Sequence, residues 1–315
     1  MDLLAVFSQT LQVTLPVFAM VFLGILFKRI GWIDAHFIST ASALVFRATM
    51  PTLIFLSIVR ADLDVALQPG LIVYFLGFSV LSFFLAWGWA IWRCPFADRG
   101  VFAQGAFRGN CGIVGLALAA SQYGDYGLSL GSILAGGIII VYNVLAAIIL
   151  AYYSANARSG LGSILKHVAR NPLILSVLLA MPFAYFQVPL PEWLMTSGDY
   201  FGAMSLPLAL VCIGGTLSFS SVKQSSGPAL DASLWKIVWV PLLGVLGAYA
   251  LGYRGRELGM LFLFLGTPGA AASFVMAKAV NANAKLAANI IVITTFASLF
   301  TLSAGVFILT IAGWI

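Results

Sequence analysis

The sequence predicts an all-α integral membrane protein: ten transmembrane helices arranged as two inverted five-helix repeats, with helices 4 and 9 broken and crossed. Three observations lead there: a composition that suits lipid, ten separate apolar runs, and a self-similarity at half the chain length. The 315 residues are 62% hydrophobic and 8% charged, with a mean hydropathy of +1.04. A soluble domain carries about 25% charged residues. Sixteen Lys+Arg and ten Asp+Glu cannot coat a soluble globule of 33.5 kDa. Ten spans of ~20 residues leave only short connections, which excludes a large soluble catalytic module.

The apolar runs fall near residues 10–27, 37–58, 70–92, 102–122, 128–153, 171–188, 199–219, 233–252, 257–279 and 286–312. The first lacks a basic leader and a small-residue cleavage site, so it reads as a retained span and not a signal peptide. The second carries Arg47 about ten residues in, then Pro51. The fourth is interrupted by Gly109-Asn110-Cys111-Gly112 and the ninth by Gly266-Thr267-Pro268-Gly269. The runs are continuous where a membrane β-barrel would alternate, and backbone facing lipid must bond to itself, so they are helices.

Charge sets the orientation. Lys28, Arg29, Arg93, Arg99, Arg158, Lys166, Arg170, Lys223, Lys236, Lys278 and Lys285 fall at one set of alternate span ends, and only Arg60, Arg254 and Arg256 at the other. The richer side is cytoplasmic, so both termini lie outside a cell (inner) membrane and the loop at 154–170 lies inside. These charges orient the chain in the bilayer, which accounts for the net charge of +6 without nucleic acid. Cys94, Cys111 and Cys212 show no CxxC spacing, and two histidines give no metal site. No cofactor is expected.

The repeat is read from spacing. Pro16 recurs as Pro172 and Pro51 as Pro207, each 156 residues on; Gly109 and Gly112 recur 157 residues on as Gly266 and Gly269. The halves are residues 1–156 and 157–315. Each holds five spans, an odd number, so the second enters the membrane upside down. Inverted repeats are a design of secondary transporters, with a site near the bilayer midplane.

The matched breaks are where chemistry can sit. Glycine permits unwound backbone, and Pro268 disfavours helix just before it. Two crossing breaks bring half-helix N-terminal ends to one point, where partial positive charge suits an anion. Asn110 and Thr267 are placed to cap those ends or touch a ligand, with Cys111, Gly112, Pro268 and Gly269 beside them. Gly109, Gly266, Pro51, Pro207 and Arg47 read as hinge or structural positions. Every Asp and Glu falls in a loop or at a span end, whereas Arg108 abuts the first break. A deep cation without a carboxylate partner points toward carbonyls or an anionic substrate. Asn143 is a lone amide in the fifth span that needs a partner, either a ligand or another helix. With no buried carboxylate to carry a proton, facilitated transport or anion exchange is expected.

The run FRGNCGIVGLALA, the last-span run IIVITTFASLFTLS, outside termini and a seam between spans five and six resemble the auxin efflux carrier family. The resemblance covers essentially the whole chain. Ala117 stands where many members have Pro, and GTPGAAAS lacks the Asn often found after the second break. It implies a homodimeric carrier in which spans 1, 2, 6 and 7 form a scaffold and spans 3–5 and 8–10 a moving, elevator-like transport domain. It also implies small organic anions, such as malonate or an auxin-like acid, as substrates, with Asn110 and Asn143 near the substrate carboxylate and Pro268 as the proline of the second crossover. Two rivals have sharper requirements. A sodium-coupled symporter of the bile-acid type shares the ten-span design and needs oxygen ligands for sodium. An intramembrane enzyme needs a nucleophile beside a base, or a metal cluster, and neither is legible.

Overall fold

A computed structural model describes residues 3–60, 68–153, 170, 172–217 and 227–315. Among these residues the protein is all-helical, its sole β contact being an isolated bridge. The helices are α1 (Leu3–Arg29), α2 (Ala35–Leu44), α3 (Met50–Val59), α4 (Pro69–Arg93), α5 (Arg99–Phe107), α6 (Leu116–Tyr153), α7 (Pro172–Tyr185), α8 (Glu192–Ala203), α9 (Ser205–Thr216), α10 (Gly227–Leu234), α11 (Val240–Ala250), α12 (Gly255–Leu265), α13 (Ala272–Ala279) and α14 (Ala284–Ile311). The loop expected at 154–170 lies, apart from Arg170, outside the described residues.

Among the described residues, six segments are long and apolar enough to cross a bilayer: Ala35–Val59, Pro69–Arg93, Cys111–Tyr153, Glu192–Thr216, Gly227–Ala250 and Ala284–Ile311. At 1.5 Å per residue, the 25 residues of Pro69–Arg93 reach about 37 Å, enough for the ~30 Å hydrocarbon layer. The 43-residue segment Cys111–Tyr153 is two helices in one: Gly124, at φ 56° and ψ −133°, turns the chain sharply inside α6. That orientation of backbone is open to glycine at little cost.

Several spans are continuous but wound irregularly. One π-helical turn covers Val45–Thr49 and joins α2 to α3, with Pro51 just beyond it. Proline 51 cannot donate a hydrogen bond, and the wider turn absorbs the mismatch. Pro207 holds the same place in α9, just after the break at Met204. Cys111–Gly115 and Trp235–Trp239 are also π-helical. Three apolar clusters form among the described residues. The largest joins α4, α5, α6, α10, α12 and α14; a smaller one holds Val45, Met50, Ile54 and Ile58 against Leu173, Ala180 and Ala184; the third is Ile38, Ala41 and Cys212. The helices α1 and α9 cross at close range, since a Cβ on Gly214 would stand 1.9 Å from the Val21 carbonyl oxygen.

Candidate site at the crossing of two broken helices

The two interruptions meet. Helix α5 stops at Phe107 and α12 at Leu265. Between them Gly109 and Gly269 pair as a single antiparallel bridge. The Asn110 N–H donates to the Pro268 carbonyl at 2.8 Å, and the Ala270 N–H to the Arg108 carbonyl at 3.4 Å. Each unwound segment supplies the acceptor that the other lacks, which is what irregular backbone requires at membrane depth. The glycine at 109 is demanded by space: a Cβ would stand 2.3 Å from Thr267 Oγ1 and 3.1 Å from Lys236 Cε. The Thr267 hydroxyl is spent on the Phe264 carbonyl at 2.8 Å, and the Gly269 N–H donates to Thr294 Oγ1 at 3.0 Å.

One side of the crossing opens into a cavity of about 460 Å³. Arg108, Gly109, Asn110, Cys111 and Gly112 line it from the first break, Tyr142 and Asn143 from α6, and Ala270, Ala271 and Ala272 from the second. Val45, Phe46, Met50 and Ala209 close the opposite wall. The helices beginning at Cys111 and at Ala272 therefore turn their N-terminal ends, with N–H groups free of intrahelical acceptors, toward one space.

Arg108 gives this space its charge. Its side chain is 6% exposed. Nη2 donates to Asn143 Oδ1 at 2.8 Å and Nη1 to Met276 Sδ at 2.9 Å, while Nε has no hydrogen-bond partner. Among the described residues, no carboxylate lines the cavity. A buried guanidinium held only by an amide and a thioether lacks the counter-charge that such a group ordinarily finds.

The geometry divides the candidates read from the sequence. Arg108, Asn110, Cys111, Gly112 and Asn143 converge on the cavity; Gly266, Thr267, Pro268 and Gly269 are buried behind it and hold the crossing. Arg47 lies on an exposed face of the π-turn, off the cavity, and Pro51 and Pro207 are likewise outside it. Lys236 requires a correction. Its charge suggests a cytoplasmic span end, yet it is 0% exposed, ten residues into the span Gly227–Ala250, with Nζ donating to the Leu265 carbonyl at 2.6 Å. The expected span at 233–252 starts six residues later than the observed Gly227–Ala250. The Gly227-Pro228 pair, a helix-start signal, would have placed Lys236 deep.

An apolar helical body with two broken helices crossed beside a charged cavity defines a membrane transport protein. A family model described as "Membrane transport protein" matches residues 10–306, and the chain belongs to that family, the auxin efflux carriers. It is 27% identical over 304 residues to an uncharacterized transporter of Methanothermobacter thermautotrophicus, covering 94% of this chain and 97% of that protein. It is also 24% identical over 317 residues to an uncharacterized transporter of Methanocaldococcus jannaschii, covering 97% and 98%.

Proposed function

We propose that the protein is a secondary transporter that moves a small organic anion, a mono- or dicarboxylate, through the cavity at the crossing. The observation that carries this reading is Arg108: a buried cation on a cavity wall, with an unpartnered Nε and no carboxylate in the lining. A substrate carboxylate completes that set, since a charge-assisted hydrogen bond to guanidinium is among the strong ones. Asn110 and Asn143, with the helix starts at Cys111 and Ala272, provide the remaining donors. The apolar wall of Val45, Phe46 and Met50 suits the substrate's hydrocarbon part.

On this reading the chain is two inverted repeats of five spans, working by alternating access with an elevator-like movement in a homodimer. Packing supports the pairing of the halves: α1 rests on α9 as α7 rests on α3, and α4 on α5 as α11 on α12. Exchanging the halves converts each contact into its counterpart. Both termini are assigned to the outside of the cell membrane from the basic asymmetry.

The test is a thermal-shift panel on purified protein with acetate, malonate, succinate and benzoate, each beside its neutral amide. A ligand that binds the native state raises apparent stability, by about 2.7 kcal/mol at a hundred times Kd. At least one carboxylate stabilises the protein and its amide does not. Equal stabilisation by acid and amide, or by neither, contradicts the anion assignment.

A further inference from the structure

Behind the first break, on the face away from the cavity, lies Lys236. We propose that Lys236 is a proton-binding site that couples anion transport to proton movement: the loaded carrier holds an ammonium there, the empty carrier a neutral amine.

Position carries the inference. The backbone of Gly109 lines the cavity on one side, while on the other a Cβ at Gly109 would meet Lys236 Nζ at 3.3 Å. The thickness of one glycine separates the cationic amine from the bound anion. Nζ reaches the Leu265 carbonyl, the last residue of α12, where the negative end of a helix stabilises a cation. An ammonium has three donors, and this is the hydrogen bond recorded for Nζ. Arg108 shares the crossing, but guanidinium keeps its proton at any accessible pH, whereas an amine can release one.

The surroundings leave the charge uncompensated. The Cys111 thiol is turned to the Phe264 carbonyl at 3.4 Å, with the Tyr142 hydroxyl 3.8 Å from Sγ. On α10, Asp231 is engaged by Trp89 Nε1 at 2.9 Å and Arg93 Nε at 3.3 Å. Helix α5 contributes the neutral Gln104 and bears Arg99 at its far end; α14 bears Lys285 at its first turn and Asn289 and Thr294 facing inward; α11 carries Tyr249 in its last turn. Among these described elements α10 alone bears a carboxylate, Asp231, and its hydrogen bonds go to Trp89 and Arg93 and not to the ammonium.

The cycle follows from linkage, and it rests on the anion reading above. A bound anion at the crossing favours the ammonium, so binding takes up a proton; release of the anion frees it. On release the N–H bond breaks, the electron pair stays on nitrogen and a water molecule that enters behind Gly109 takes the proton. A monoanion then crosses with one proton and no net charge, and the empty carrier returns without the extra cation.

The experiment has two arms, on Lys236→Met and Lys236→Arg. Without ligand, melting of wild type and of either variant that purifies monodisperse is followed across pH 6–10. The difference between them changes with pH if Lys236 titrates, because a group with different proton affinity in the folded and unfolded states makes stability pH-dependent. A flat difference overturns the proposal whatever the substrate. In the second arm malonate affinity is measured over pH 7.5–10, where the acid is fully ionised. Wild-type affinity falls by up to about tenfold per pH unit as the amine deprotonates, and the variants show no such slope. Malonate binding with the same pH slope in wild type and variants also overturns the proposal. Titration of Lys236 combined with failure of every carboxylate in the thermal-shift panel overturns the coupling and the anion reading together, leaving an unlinked proton site.

Discussion

The two helix breaks share a backbone role and differ in everything else. Gly109–Gly112 lines the cavity: Asn110 is partly exposed, and Arg108 stands at the entrance to the break. Gly266–Gly269 is buried throughout and gives backbone alone, the Pro268 carbonyl to Asn110 and the Gly269 N–H to Thr294. On the proposed reading, one break supplies recognition and the other the frame, and Lys236 fills the space behind.

Substitutions at the two breaks separate frame from recognition. The largest effect is expected at Gly109→Ala, whose Cβ meets Thr267 Oγ1 at a distance no relaxed contact permits and crowds Lys236 Cε. Overpacking of this kind costs about 3 kcal/mol, read as a lowered melting temperature and loss of the monodisperse peak. An unchanged melting temperature would show that the crossing is loosely held. Next comes Thr267→Val, which removes a buried hydroxyl bonded to the Phe264 carbonyl. It should lower stability by about 1 kcal/mol and leave carboxylate affinity as it was; a tenfold loss of affinity would move Thr267 into the recognition set. Smallest is Gly112→Ala, where the nearest atoms to the new Cβ are Ile139 Cδ1 at 3.7 Å and Leu173 Cδ1 at 4.0 Å. Stability should stay within about 0.5 kcal/mol of wild type, so two glycines three residues apart give opposite answers.

Much of this was legible in the residues because the signals are local. Glycine and proline mark where helices fail, and the interruptions at 109–112 and 266–269 fall where the helices α5 and α12 end. Asn143 stood out as a lone amide, and its Oδ1 accepts from Arg108. What could not be read is which side of a helix faces inward. Arg47 and Arg108 both lie deep in apolar sequence, yet one is exposed and the other buried, a difference set by the neighbours each helix meets. Lys236 was missed for a related reason. Trp235 and Trp239 beside a lysine have the composition of a membrane interface, and only the longer helix beginning at Gly227 carries that lysine to the crossing.

The division of labour between the breaks rests on the cavity residues touching the substrate. Counterflow in proteoliposomes tests this most directly, with the carboxylate that stabilises the wild type best, in wild type, Asn110→Ala and Asn143→Ala. Loss of one hydrogen bond to a charged group costs roughly 1.5–3 kcal/mol, or about 10–100-fold in affinity. Asn110→Ala should keep the wild-type melting profile in the absence of ligand, Asn143→Ala should melt lower because it strips Arg108 Nη2 of its acceptor, and both should need 10–100-fold more substrate for half-maximal exchange. Exchange at wild-type concentrations in both would contradict the site.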